Sequence, residues 1–545
     1  MGVVFMARQD KSLMNNTNIV NDIRNVLGAD LLAFILGVDV DQLSQLAPNK
    51  RQSRVLSELK SYMLALGNPP YYMQSTLINN CICSYITDLK TSLATHWHYF
   101  CLNTRIPEFE SVKDSAERSL MTLARDVYPK LLMKKHQFDT IASISDYKHP
   151  SWRQFSADIF RSRNPIGKLF PDALTYRHYK TNPTATLSLN CNMILSNKRG
   201  GTVSAGMIPE SILTSSVYLP DSVHDSLEIY CLSVQKNYQK LRRTIGRRFL
   251  KVKTIIGLSN VELSSDIQSY NIAPNIKIRR ATPIDRLTVF ANLDEPDLII
   301  EIEDRVDILD SFPMTEDSTP RYERHRGSID EFYVNQQRDL DRIRLAMLLA
   351  SVSADELIAP GYLFTTALFP ITPDRNLSIS SHRWPMVRYG RQTIDRRRAD
   401  LIRKWISKLN KLPDTLDVSV KRLISATMER ANDADAFVDA VVVWENLFGG
   451  KRETGLRIQG SMSLLLEPKS RTCRKNLIRE ISGLYDRRSR LIHGDSGIDN
   501  STISVDCARS IELALKSLKL VLNNKNLLRA SNSETRSKLI MFGVC

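Results

Sequence analysis

The stretch Arg471–Gly494, RTCRKNLIREISGLYDRRSRLIHG, constrains this chain more than any other, because it sets an arginine where a long helix should carry a leucine. Leu477, Ile481, Leu484 and Leu491 recur at the three-and-four spacing of a helix face turned toward packing partners. At roughly 100° per residue, Arg488 lies inside that apolar sector, whereas Arg487 and Arg490 project away from it. A guanidinium taken out of water is costly unless an ionised or strongly hydrogen-bonding group meets it. The stretch therefore requires other helices around it and a polar partner for Arg488. His493 follows five residues later, and Gly494 comes directly after it. On an unbroken helix that step turns the side chain away by about 140°, so His493 can face Arg488 only where the helix ends. Glycine, which takes the left-handed cap conformation without strain, supplies such an end.

A chain of 545 residues is long for a single core, and about two to four domains are expected. Hydrophobic content of 42% with 25% charged residues is that of a globular protein and excludes a mainly disordered one. The formal net charge of +16 and pI near 9.4 favour a polyanionic partner, nucleic acid before an anionic membrane. Of the 8 cysteines only Cys81 and Cys83 stand close together, which is neither a disulfide framework nor a zinc spacing. The opening residues, MGVVFMARQDK, lack a charged leader and an apolar core of signal length, and no apolar run approaches a membrane span. A cytoplasmic location with no membrane contact is the expectation.

The fold class read from these patterns is α+β and multidomain. Residues 1–130 read as a mainly helical N-terminal region, with the periodicity broken at Asn68-Pro69-Pro70. Residues 131–325 read as a mixed α/β middle domain, 328–392 as a helix plus connecting strands, 393–525 as an all-α bundle and 526–545 as a C-terminal tail. Within residues 30–55 two short helices flank a glycine turn, and Ala33, Gly37, Leu43 and Leu46 match the spacing of a helix-turn-helix. This segment resembles the Xre-type DNA-binding motif. Its second helix, however, would present Asp39, Asp41 and Gln42 to a negatively charged groove, and Lys50, Arg51 and Arg54 arrive only afterwards. A protein-interaction module or a plain packing unit fits the same pattern.

His96 and His98 in THWHYF, near Cys81 and Cys83, lack a further ligand pair at standard spacing, so neither a metal site nor a cofactor is expected. The segment from Ser151 interleaves Trp152, Arg161, Arg163, Lys168, Tyr176, Arg177 and His178. It reads as a loop-rich edge in preference to a base-stacking surface. Strand patterns follow in TATLSLNCNMIL, RLTVFANL and DLIIEIEDRVDIL, with a turn at Lys198-Arg199-Gly200-Gly201. Between them SLEIYCLSVQKNYQKLRRTIG reads as a helix. At its end Arg242, Arg243, Arg247, Arg248 and Lys251 form a dense basic group, either a solvated helix end or a guide for RNA. Residues 311–327 read as a linker, followed by a long helix from about Ser328 to Ser351.

After Thr393 five helices are readable, with turns at Pro413, Asn432-Asp433, Gly449-Gly450 and Pro468. No phosphate-cradling glycine loop, dinucleotide fingerprint or paired-histidine metal helix accompanies them. In this setting LYDRRSRLIHG resembles the signature of HEPN domains of the Apea-like branch: an arginine, a polar residue, a short apolar spacer, then His-Gly. VVVWENLFGG is similar to the helix that supplies a glutamate, here Glu445, and TGLRIQGSMSLLL to the helix that supplies an arginine, here Arg457. The likeness covers about residues 395–525.

The resemblance implies metal-independent RNA cleavage that leaves a 2′,3′-cyclic phosphate, in a cleft shared by two copies of the chain. His493 suits proton transfer near neutrality, and Arg488, always charged, suits the scissile phosphate. Ser489 occupies a polar position where asparagine, aspartate or histidine is frequent in the family. Arg487 to His493 would also fit a six-residue variant of the motif, although the apolar stripe selects Arg488. Glu445 and Arg457 would support the site or form an ion pair locking two helices, with Tyr485 and Arg487 as further supports and Arg490 as an RNA contact. The expected protein is an endoribonuclease effector of antiphage (abortive infection) or toxin type, its N-terminal region sensing a phage-derived or cellular trigger or restraining the nuclease. The alternatives are a DNA-binding regulator in which the bundle only dimerises, and a non-catalytic scaffold.

Overall fold

The computed structural model describes residues 16–66, 76–133, 146, 148–161, 164–170, 189–195, 200–217, 226–282, 285, 296–313, 329–351, 356–368, 370–371, 379–381, 389–410, 412–494 and 497–543. It is an α+β protein, predominantly helical. The N-terminal helices are α1 (Asn16–Leu27), α2 (Ala29–Leu36), α3 (Lys50–Leu66), α4 (Leu93–Leu102) and α5 (Ser115–Leu131), with a small ribbon of β1 (Tyr85–Ile86) and β2 (Thr91–Ser92) ahead of α4. Next come α6 (Pro150–Arg161), β3 (Asn190–Leu195), β4 (Gly200–Ser204), α7 (Ile208–Val217) and α8 (Leu227–Gly246).

The segment compared with a helix-turn-helix departs from it in its second half. Gly37 closes α2 at φ 66°, and Ala33 and Leu43 are buried as the motif spacing requires. The expected second helix is instead a six-residue 3-10 helix, Val40–Gln45, at whose start the Asp39 N–H donates to Gln42 Oε1 at 3.2 Å. Of the basic residues behind it, Arg51 and Arg54 lie over the Phe100 ring at 5.4 and 5.5 Å, and Arg54 pairs with Glu58. His98 stacks on Phe34 with 4.1 Å between ring centroids, and its Nδ1 meets the Phe34 carbonyl at 2.5 Å.

Two long strands organise the rest: β5 (Phe249–Ser259) and, after β6 (Val261–Leu263), β7 (Ser269–Ala273) and β8 (Ile276–Arg280), the sixteen-residue β9 (Leu298–Pro313). Helix α9 (Ile329–Leu349) follows, then β10 (Gly361–Leu368), β11 (Ile379–Ser381) and β12 (Gln392–Ile394). The sheet order is β11-β10-β5-β9-β3-β4, with the β7–β8 hairpin joining β9, and every pair in it is antiparallel. A separate parallel pair joins β12 to β6. Gly257 is required where β10 bulges against β5, since a Cβ there would lie 2.1 Å from Phe364 Cε1.

Strand side chains alternate between faces, and here the faces enter different cores. Ile255 and Ile299 belong to a core shared with the N-terminal helices, whereas Ile256, Leu258, Leu298, Ile300 and Ile302 belong to one shared with α9 and the C-terminal helices. The boundary expected near residue 130 therefore does not separate packing units, because α5 packs on both α6 and α8 in one core that also takes sheet residues. Likewise β10, one of the connecting strands expected in residues 328–392, pairs along β5 from Gly361 to Leu368 inside the same sheet.

The C-terminal bundle comprises α10 (Arg396–Leu409), α11 (Asp417–Ile424), α12 (Asp433–Phe448), α13 (Thr454–Leu466), α14 (Arg471–Ile492), α15 (Asn500–Asn523), the short α16 (Lys525–Leu528) and α17 (Ser533–Phe542). Five helices are legible there; the described part of the residues read as a tail carries most of α16 and all of α17, and α17 packs on α12 and α13. The anchor is Arg536, fully buried, which donates to the Leu527 and Leu447 carbonyls at 3.0 and 2.9 Å and so closes the C-terminal end of α12. Outside the described residues lie the strand read in RLTVFANL, most of the 311–327 linker, Lys198 and Arg199 of the expected turn, and Arg163, Tyr176, Arg177 and His178 of the basic-aromatic segment.

Candidate functional site

Helix α14 starts at the Ser470 cap, whose hydroxyl accepts from the Cys473 N–H, and buries Leu477, Ile481 and Leu484 in the C-terminal core. Arg488 continues that buried row. Its side chain is 17% exposed, and it reaches toward α12, where Nη2 lies 3.4 Å from Glu445 Oε2. Tyr485, one turn earlier, donates its hydroxyl to the other carboxylate oxygen, Oε1, at 2.9 Å. Glu445 thus holds a tyrosine and an arginine that the helix repeat places side by side. Burial together with the Glu445 carboxylate pushes the Tyr485 hydroxyl up to about 12. The Arg488 Nε is buried and finds no hydrogen-bond partner. A buried guanidinium with one long ion pair and an unpaired N–H is under-satisfied, and such a group favours an added anion.

Arg487 is engaged differently. Its Nη2 donates to Asp506 Oδ1 at 2.8 Å and its Nε to Oδ2, a two-point clasp to α15. Of the adjacent arginines, Arg487 is therefore committed to a carboxylate while Arg488 retains an unpaired N–H. Asp506 was not singled out in the sequence, although it stands beside Ile503 and Cys507 on a buried row where a carboxylate signals a cationic partner.

Helix α14 ends at Ile492. His493 occupies the cap at φ −83° and ψ 7°, its N–H donating to the Ser489 carbonyl at 3.1 Å, and Gly494 turns the chain at φ 80°. The His493 imidazole is exposed and shares no hydrogen bond with Arg488 among the described residues. Ser489 is half-buried and Arg490 exposed.

Arg457 does not meet Glu445. Its Nε donates to the Arg452 carbonyl at 3.2 Å and its Nη2 lies 3.5 Å from Glu534 on α17, so the ion pair expected to lock α12 to α13 ties α13 to the last helix instead. The basic group near Gly246 belongs to the other core. Arg242 pairs with Asp114 at 2.6 Å, and Lys251 pairs with Glu303. Arg243 donates to the Gln239 carbonyl, Arg248 donates to the Leu309 carbonyl from a left-handed backbone at φ 57°, and Arg247 is exposed. Among the described residues no group of three or more histidine, cysteine, aspartate or glutamate side chains is arranged to hold a metal, and no helix is long and apolar enough to cross a membrane.

Compared with family models, curated proteins and solved structures, the chain finds no match.

Proposed function

We propose that the chain is an endoribonuclease whose C-terminal bundle is a HEPN domain of the Apea-like type, with Arg488 and His493 at the reacting phosphate and no metal in the chemistry. The observation that carries this reading is the under-satisfied Arg488: a mostly buried guanidinium, held at one end by Glu445, which Tyr485 also binds, with its Nε unpartnered five residues before an exposed histidine. A phosphate oxygen supplies the acceptor that Nε lacks. In the reaction the ribose 2′-oxygen attacks phosphorus as its proton passes to a base, the bond to the 5′-oxygen breaks, and that oxygen takes up a proton. The products are a 2′,3′-cyclic phosphate and a free 5′-hydroxyl. An imidazole can serve either proton transfer, and Arg488 stabilises charge gathering on the phosphate.

A second copy of the chain completes the cleft in this reading, each contributing Arg488 and His493. Leu456 on α13, Ile492 on α14 and Val505 on α15 are 59%, 50% and 69% exposed, and burial between copies would cover them. The N-terminal core and the sheet sense a trigger or restrain the nuclease, in a defence or toxin role. The DNA-regulator alternative is not adopted, since a short 3-10 helix carrying Asp39 and Asp41 stands where a recognition helix would enter the groove.

The test is incubation of the purified full chain with structured and single-stranded RNAs in EDTA, with the product ends identified. The expected result is cyclic-phosphate ends from the wild type and none from His493→Ala. Equal cleavage by His493→Ala, or no cleavage by the wild type with any RNA, overturns the reading.

A further inference from the structure

Most cations of the α14 region are spoken for. Arg474 donates to the Glu467 and Pro468 carbonyls, Arg487 and Arg488 meet Asp506 and Glu445, and Arg509 on α15 binds Glu480 and Glu512. Arg471, Lys475 and Arg479 differ: all three are exposed, and none has a hydrogen bond or ion pair among the described residues. They stand at successive four-residue steps, about 6 Å apart along the axis. At roughly 100° per residue they share one outward sector with Arg490 and His493.

This arrangement works against the helix that carries it. Like charges four residues apart repel one another on a helix, and here they do so twice. The first turn of α14 holds no acidic residue, so Arg471 also stands at the positive end of the helix dipole. Between Arg479 and Arg490 the same face carries small residues, Ser482 and Gly483, and a single carboxylate, Asp486, which is exposed. A row of unpaired cations that weakens its own helix and points along one line toward His493 is suited to a polyanion.

We infer that the outward face of α14 is the track for a single-stranded RNA backbone, with Arg471, Lys475 and Arg479 on successive phosphates leading to His493 at the end of the helix. This rests on the ribonuclease reading and extends it from the reacting phosphate to the strand beside it. Contacts of this kind are electrostatic and indifferent to sequence, so they set affinity and direction and leave base choice to other residues.

The experiment measures binding of a labelled single-stranded RNA to the full chain carrying His493→Ala, which removes cleavage, over a series of salt concentrations. The track predicts that adding Arg471→Gln, Lys475→Gln and Arg479→Gln flattens the dependence of log affinity on log salt by roughly 0.7 per cation, about 2 in all. Substituting equally exposed cations on another helix, Arg397→Gln with Lys404→Gln on α10, leaves the slope as it was. In the cleaving background the triple variant raises KM more than it lowers kcat. RNA bound with an unchanged slope in the triple variant, or an equal loss from the α10 pair, overturns the track while leaving the nuclease reading standing. If cleavage tests also fail, absence of RNA binding by every form overturns both. Thermal melting of the triple variant is expected to stay level or rise, which separates loss of binding from loss of fold.

Discussion

Two clusters, one buried among the N-terminal helices and one half-buried in the C-terminal bundle, each join an arginine to a carboxylate and are finished differently. In the N-terminal core Asp126 accepts two hydrogen bonds from Arg125, each at 2.8 Å, and one from His149 Nε2 at 2.9 Å. The remaining Arg125 nitrogen donates to the Pro107 carbonyl, and His149 Nδ1 accepts from the Ser151 N–H. Every nitrogen of the guanidinium donates to a partner. In the C-terminal bundle Glu445 meets Arg488 at a single long contact and Arg488 Nε is left over. The first cluster has the character of a structural clasp, whose value lies in having no loose end. The second keeps a loose end, which the proposed function assigns to a phosphate oxygen.

The largest effect that could break this contrast is in the clasp. Asp126→Asn leaves a buried guanidinium without its counter-charge and is expected to cost about 3–5 kcal/mol, read by chemical denaturation. The matching change at the other cluster, Arg488→Gln, is expected to lower RNA cleavage by about 10²–10³-fold while barely moving the melting temperature. If Arg488→Gln instead destabilises as much as Asp126→Asn, the two clusters are alike and the contrast fails. Gly494→Ala forces a side chain into the left-handed region at φ 80° with nothing within 4 Å to clash, so the expected cost is backbone strain alone, about 1–2 kcal/mol. A melting temperature equal to that of wild type would show that the helix end can relax. Tyr485→Phe removes one hydrogen bond to Glu445 and is expected to cost about 0.5–1.5 kcal/mol, again by denaturation.

Titration separates the clusters by direction. Hydrogen bonds from His149 and Arg125 outweigh the burial that would raise the Asp126 carboxyl, and hold it below the usual carboxylate range. Its contribution is complete above the unfolded pKa and is lost as pH falls through the lower folded value. The Tyr485 hydroxyl is raised to about 12, so its contribution is complete below about 10 and is lost between there and about 12. Denaturation midpoints across pH should show Asp126→Asn erasing part of the acid-side loss and Tyr485→Phe part of the alkaline loss. The reverse assignment would contradict the hydrogen bonds described.

What could be seen in the sequence was whatever repeats locally. Leu477, Ile481 and Leu484 name the buried side of α14 by spacing, and the same periodicity puts Arg488 among them before any partner is known. Gly494 marks the helix end because few other residues take positive φ cheaply. What could not be seen depends on residues far apart in the chain. Nothing local in Arg457 says that it will meet Glu534 and leave Glu445 to Tyr485 and Arg488. Nothing in Arg487 and Arg488, chemically identical neighbours, says which will be clasped by Asp506. The helix-turn-helix spacing is met at Ala33 and Leu43, yet the second helix is a 3-10 turn, a difference that apolar spacing over six residues does not carry. The break near residue 130 was drawn from a change of pattern, whereas packing continues across it.

The sheet is a party wall. With Ile255 and Ile299 facing one core and Ile256, Leu258 and Ile300 facing the other, neither half of the molecule owns it. A fragment cut away at residue 393 would leave behind the strands and α9 whose apolar residues share its core, so the bundle cannot be excised cleanly. Partial melting of the N-terminal half would likewise bare one side of β5 and β9 while the other stayed covered. Sticky, half-covered strands of that kind pair with their like, so the chain's weak moment in heat or during synthesis is expected to be self-association through the sheet rather than release of a free bundle.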